Sequence, residues 1–244
     1  MDPSGHTVDC APYDTACKTG KPLSPEYIAK KYNVVFTGPG KQGSGEWIEE
    51  HKWAVVLGVI QVAYRFAEEL GNGISASDAF KRAYGLGDGQ NFTFEWDPDC
   101  DGCKEHPKAE SEFGYTNGST YIEFASMSEF PNPFVRQLRS VNNVIHELGH
   151  AFNSRLSQIP ETTLVTLSPN LINRPSGFFI LNNGGTTTYM QSDDPTGSEI
   201  FADQFLGWVT GAWAPNGDGL ARATFMTQWM NGPTGWVSQA SGLP

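Results

Sequence analysis

The stretch Val144–Phe152, VIHELGHAF, decides which fold and which chemistry are expected of this chain. It contains two of the five histidines, His146 and His150, four positions apart, and Glu147 follows the first of them. Residues four apart on a helix lie one turn apart on the same face, so both imidazoles can bind one metal ion. Glu147 lies beside that face. The spacing predicts the HExxH arrangement, in which zinc lowers the pKa of a bound water and the glutamate accepts its proton.

The residues around this motif are typical of a buried helix. Asn132 precedes Pro133, which fits an N-cap followed by proline at the first helical position. The helix is predicted to run through Phe152, because Val141, Leu148 and Phe152 recur at helical spacing. The alternative is a solvated helix face that carries two polar residues. The apolar periodicity favours the metal site over that alternative.

A catalytic zinc needs a third protein ligand and an open fourth position. No histidine follows His150, so the third ligand must be a carboxylate or one of the earlier histidines. Glu199 is the preferred residue, because Asp203 lies one turn further on and can hydrogen-bond a metal-bound histidine. Acidic residues also favour helix N-termini without any metal. The fallback ligands are Asp193, Asp194 and Asp203.

Together, HELGHAF and the later EIFADQF resemble the zincin metallopeptidases, specifically the gluzincin branch. The resemblance covers about residues 120–210. It implies Zn²⁺ at His146, His150 and Glu199, Glu147 as general base, and a peptide or protein substrate. Ser198 departs from the common thermolysin-like pattern, which has Asn before the ligand glutamate.

The resemblance further implies a strand along the cleft that holds an extended peptide. The residues proposed for it are Tyr121, Ile122, Glu123, Phe124 and Ala125. Family members often carry a tyrosine or histidine that stabilises the oxyanion, and Tyr189 is the residue predicted for that role. An ordinary half-buried tyrosine is the alternative interpretation of Tyr189.

The expected fold is α+β and zincin-like, with a small, mostly antiparallel sheet, an active-site helix and a helical C-terminal part. Residues 1–30 are predicted to be a tether and residues 31–244 a single domain. Its N-terminal lobe covers about residues 31–153 and its C-terminal lobe about 154–244. Further elements are predicted from periodicity and capping: helices at 46–70, from Ser75, at 199–213 and at 218–229, a hairpin at 115–126, and a short strand at 178–181. Residues 85–112 are predicted to be loop-rich and residues 154–197 mostly irregular.

The net charge of −11 argues against nucleic acid and anionic membranes as partners, because phosphate binding needs clustered Lys and Arg. The most apolar run, Trp53–Ala67, is too short to span a membrane and contains Gln61 and Arg65. No signal peptide opens the chain, so we expect either a cytosolic protein or an excised piece of a larger exported one.

The stretch Asp2–His6, DPSGH, resembles the sequence that closes the core of YD-repeat (Rhs) proteins, before a variable C-terminal domain that is often a toxin. That resemblance implies an exported tip or toxin domain and a cognate inhibitor protein. A turn with the same four residues is common in other proteins.

Asp97, Asp99 and Asp101 match the opening of a Ca²⁺ loop, although Lys108 stands where the closing glutamate would be. An acidic surface turn is the alternative. The cysteines form two close pairs, Cys10/Cys17 and Cys100/Cys103, which favour local disulfides or free thiols over a zinc ribbon.

The sequence thus predicts a zinc-dependent metallopeptidase. Two rival hypotheses remain: a catalytically inactive zincin-like binding module, and a calcium-stabilised adhesion domain.

Overall fold

The computed structural model describes residues 23–38, 47–71, 73–96, 115–116, 119–124, 133–172, 179–182, 185–188 and 196–242. The helices are α1 (Pro25–Lys31), α2 (Glu49–Leu70), α3 (Ala76–Ala83), α4 (Pro133–Arg155), α5 (Ile159–Leu167), α6 (Gly197–Thr210), α7 (Gly217–Met230) and α8 (Trp236–Ala240), with a 3₁₀ turn at Pro169–Leu171. The strands are β1 (Val34–Thr37), β2 (Phe92–Trp96), β3 (Tyr115–Thr116), β4 (Ser119–Phe124), β5 (Phe179–Asn182) and β6 (Gly185–Thr188). The described chain is mostly helical with a small sheet, which confirms the α+β class.

The main sheet has the strand order β1-β2-β4-β3, and most of its pairing is parallel. Val34 lies opposite Phe92, and Phe92 lies opposite Thr120, in two parallel ladders. The prediction of a mostly antiparallel sheet is therefore wrong. It failed because β1 and β2 were not predicted as strands, and the connection between them contains two helices, as parallel strands require.

The one antiparallel pair of the main sheet is the hairpin predicted around residues 117 and 118. Thr116 of β3 lies opposite Ser119 of β4, and Tyr115 lies opposite Thr120. A second antiparallel pair joins β5 to β6, with Phe179 opposite Thr188. The short strand predicted at 178–181 is thus present, shifted by one residue.

Helix starts follow the capping signals in the sequence. Ser75 accepts a hydrogen bond from the backbone N–H of Asp78 at 3.1 Å, which confirms the predicted start of α3. Thr196 caps α6 and Asn216 caps α7 in the same way. The predicted long helices at 46–70 and from Pro133 are confirmed as α2 and α4, with their ends shifted by a few residues.

Two helices lie in segments that were predicted to have little regular structure. Residues 25–31 lie mostly within the predicted tether, yet they form α1, and Ile28 and Ala29 are buried in the core. Within the span predicted to be irregular, α5 is a nine-residue helix that buries Pro160 and Leu164.

Helix α4 packs between α2 and α6 and so lies at the centre of the described core. A Cβ atom on Gly58 of α2 would lie 2.6 Å from Val144 Cγ1, so glycine permits the close approach of α2 to α4. Further along, Phe66 packs on Phe152 and on Phe205 of α6, with ring centroids 5.4 and 6.0 Å apart. Aromatic packing therefore joins α4, which carries the HELGH stretch, to α2 and α6.

Among the described residues, no helix is long and apolar enough to cross a membrane.

Candidate metal centre

The two motif histidines lie one turn apart on α4, as the spacing predicted. The Nε2 atoms of His146 and His150 are 3.1 Å apart, and their ring centroids are 4.8 Å apart. His146 is 1% exposed and His150 is 8% exposed. Both Nε2 nitrogens therefore meet at one largely buried place, where they could bind the same metal ion.

Helix α6 brings the carboxylate of Glu199 into the same volume. One oxygen, Oε2, lies 3.2 Å from His146 Nε2, and the other, Oε1, lies 3.2 Å from His150 Nε2. Glu199 stands in the first turn of α6, where the Thr196 side chain caps its backbone N–H at 3.4 Å. The capped helix start thus fixes the backbone from which this carboxylate extends.

These separations suit a single small cation. The ligand atoms of His146, His150 and Glu199 all lie within 4.8 Å of one another. Ligands at about 2.0–2.1 Å from zinc and at tetrahedral angles are about 3.3 Å apart. The two Nε2 atoms are 3.1 Å apart, which is close to that edge length, and each lies 3.2 Å from a different oxygen of the Glu199 carboxylate. Two imidazoles and one carboxylate are also the kind of ligand set that catalytic zinc sites use, whereas calcium takes oxygen ligands alone.

Each histidine is oriented by a hydrogen bond through its other ring nitrogen. The Nδ1 atom of His146 lies 2.8 Å from Oδ1 of Asp203, which is 1% exposed. The Nδ1 atom of His150 lies 3.0 Å from the hydroxyl of Ser198. Such partners hold Nδ1 and leave Nε2 directed at the metal position.

Asp203 therefore lies where the sequence predicted a partner for a ligand histidine. The contact made by Ser198 was not predicted, because this residue was noted only as a departure from a family pattern. Its place directly before Glu199 is the signal that was overlooked.

The close approach of α4 and α6 depends on Gly149, between the two histidines. A Cβ atom there would lie 3.0 Å from Phe205 Cβ and 3.1 Å from Ala202 Cα. The second contact is with backbone, which cannot rotate away. A small residue at position 149 therefore lets α6 bring Glu199 to the histidines.

The charges in the site favour a cation. Burial lowers the pKa of His146, but hydrogen bonds to Asp203 and Glu199, together with the charges of Asp203 and Glu147, raise that pKa to about 10. Burial raises the pKa of Glu199, but hydrogen bonds to His146 and His150 hold that pKa far below its ordinary value. The carboxylates thus stabilise positive charge on the His146 imidazole.

Glu147 is 5% exposed on α4, between the two histidines in sequence. It is close enough to His146 for its charge to raise the pKa of that imidazole. Its role as general base stays a prediction.

Of the other predicted site residues, some lie in a described strand and the rest lie outside the described ranges. Residues 121–124 form most of β4, which pairs with β2 on one side, and with β3 on the other side only at Ser119 and Thr120. The role of β4 in binding substrate stays a prediction. Several residues lie outside the described ranges: Asp97, Asp99, Asp101, Ala125, Tyr189, Asp193, Asp194 and the four cysteines.

No family model, curated protein or solved structure matches this chain.

Proposed function

We propose that this protein is a zinc-dependent metallopeptidase of the zincin type. In this proposal His146, His150 and Glu199 hold the ion, and Glu147 is the general base. The observation that supports it most is the convergence of three side chains from α4 and α6: the two Nε2 atoms are 3.1 Å apart, and each lies 3.2 Å from an oxygen of the Glu199 carboxylate. With these three ligands, a bound zinc ion would keep a further position open for water or substrate.

Zinc bound there would lower the pKa of a water and polarise a peptide carbonyl. The Glu147 carboxylate then accepts a proton from the attacking water as its oxygen bonds to the carbonyl carbon. When the C–N bond breaks, the protonated Glu147 gives that proton to the leaving amine. Asp203 and Ser198 keep His146 and His150 oriented throughout.

The sheet is also compatible with a zincin-like fold. The chain passes from the β3–β4 hairpin to α4, so the strands precede the helix that carries the histidines. Among the described strands, none pairs with the side of β4 opposite β2 at residues 121–124. In the proposal this side receives an extended peptide through backbone hydrogen bonds.

The test begins with metal analysis of the purified chain, followed by cleavage of a fluorescence-quenched peptide library. Glu147→Gln should retain zinc and lose about 10²–10⁴-fold in activity, because the general base is gone while the three ligands remain. Glu68→Gln, the same change at an exposed position of α2, is the matched control and should behave as the parent chain.

The outcomes separate the three hypotheses. Zinc in both proteins, with cleavage lost in Glu147→Gln alone, supports the peptidase. Zinc with no cleavage of any peptide by the parent chain overturns it in favour of a binding module. Calcium without zinc in the purified protein leaves only the adhesion domain.

A further inference from the structure

We propose a second binding site, for an extended peptide with an acidic side chain, at the outer edge of β1. Strand β1 ends the sheet order β1-β2-β4-β3, so among the described strands it pairs with β2 alone. Exposed sheet edges bind peptides as an added strand, through main-chain hydrogen bonds.

The direction of the free backbone groups follows from the register. The N–H of Phe92 donates to the carbonyl of Asn33 at 2.8 Å, and Val34 lies opposite Phe92 in a parallel ladder. In such a ladder alternate residues bond to the neighbour. Val34 and Phe36 therefore direct their N–H and C=O groups away from β2. Val34 is buried and Phe36 is half-buried, so an added strand would meet the edge first at Phe36.

A groove of about 550 Å³ runs along this edge. It is lined by residues 33–36, by Glu26 and Lys30 of α1, by Trp47 and Lys52 near the start of α2, and by Asn91 just before β2. The indole N–H of Trp47 donates to the carbonyl of Thr37 at 2.7 Å, and the ring meets Phe36 edge-on at 5.0 Å. An aromatic ring held beside an edge that no other described strand pairs with is suited to apolar side chains of an extended segment.

The charge in the groove selects an acidic occupant. Two lysines and one glutamate line it, which gives a local charge of +1 in a protein of net charge −11. Lys52 is already paired with Glu26 at 2.5 Å. Lys30 is exposed and forms no ion pair with any described residue. A glutamate or aspartate on the added strand would pair with Lys30.

None of the proposed metal ligands lines this groove, so peptide binding here does not require the metallopeptidase. The occupant we infer is a short extended segment of another protein, with β-branched residues on either side of an acidic one.

The probe is the fluorescein-labelled peptide Thr-Val-Glu-Val-Thr, and its binding to the full chain is followed by anisotropy at low salt. Lys30→Glu should weaken binding about tenfold, since an attractive pair becomes a repulsive one. Lys31→Glu is the matched control: it makes the same charge change one residue further along α1, outside the groove lining. It should bind as the parent does.

Two further peptides test the mode of binding. Thr-Val-Lys-Val-Thr should bind at least tenfold more weakly than the glutamate peptide. A version methylated at its backbone nitrogens should also lose at least tenfold, because it cannot pair with an edge.

Equal losses of peptide affinity for Lys30→Glu and Lys31→Glu would overturn the site, since the peptide would then be attracted by the charge of the whole protein surface and not by this groove. Unchanged binding of the methylated peptide would overturn strand addition. No saturable binding up to about 1 mM would overturn the proposal as a whole, as would a dimer of the parent chain that Lys30→Glu dissociates.

Discussion

The partners of the two histidines predict a graded loss of zinc affinity. Asp203→Asn leaves an acceptor for His146 Nδ1 but removes the charge behind a 2.8 Å hydrogen bond in a buried place. Loss of such a partner costs about 10–100-fold in metal affinity. Ser198→Ala removes a neutral hydrogen bond of 3.0 Å to His150, worth about 1 kcal/mol, or roughly fivefold. Glu199→Gln removes a ligand charge and should lose more than about 100-fold.

Zinc affinity is measured by competition with a chromogenic chelator, after circular dichroism has shown that each variant is folded. Asp88→Asn is the control, because Asp88 is exposed and the change removes one negative charge from the same acidic protein. It should alter affinity less than twofold. The loss of zinc affinity is expected to be largest for Glu199→Gln, smaller for Asp203→Asn, smaller again for Ser198→Ala, and smallest for Asp88→Asn. A loss for Glu199→Gln no larger than that for Asp88→Asn would refute the assignment of this carboxylate as ligand. A larger loss for Ser198→Ala than for Asp203→Asn would refute the charge argument.

Three other substitutions test the packing that supports the site. Gly149→Ala should lower the free energy of unfolding by about 1–2 kcal/mol in urea titrations, because the steric cost exceeds the gain in helix propensity; a stabilised variant would contradict the close approach of α4 to α6. Tyr84→Phe should cost about 1 kcal/mol by removing the 2.9 Å hydrogen bond to the Leu148 carbonyl, with zinc affinity unchanged; a change in affinity would connect that bond to the site. Gln204→Leu should raise the thermal midpoint, because both polar side-chain atoms of Gln204 are buried without a hydrogen-bond partner among the described residues; a lower midpoint would disprove that reasoning.

Helices with long apolar repeats could be predicted from the sequence, because their signals are local. Helix α4 combines proline at its first position with Val141 and Leu148 at helical spacing, and it lies where predicted. The β3–β4 hairpin was equally accessible, since a two-residue turn signal stands between two strands. Capping by Ser75 fixed the start of α3.

The parallel sheet and α5 could not be predicted in the same way. Strands β1 and β2 are only four and five residues long, and nothing local indicates that Val34 pairs with Phe92. Short apolar runs of this kind fit either a strand or part of a helix. Helix α5 has Pro160 near its start and is rich in threonine, which has low helix propensity. Its burial of Leu164 against the rest of the core outweighs that local preference.

The ligands of the candidate site also differ in whether local sequence determines their position. His146 and His150 come from one helix, so their spacing is a local property that five letters of sequence determine. Glu199 comes from another helix, 53 residues after His146, and its distance from the histidines depends on how α4 and α6 pack. That packing in turn depends on a glycine at position 149 against Ala202 and Phe205. The relative position of the two histidines therefore follows from local sequence, whereas the position of Glu199 follows from core packing. Any change in how α4 packs on α6 would change the geometry of the candidate metal centre.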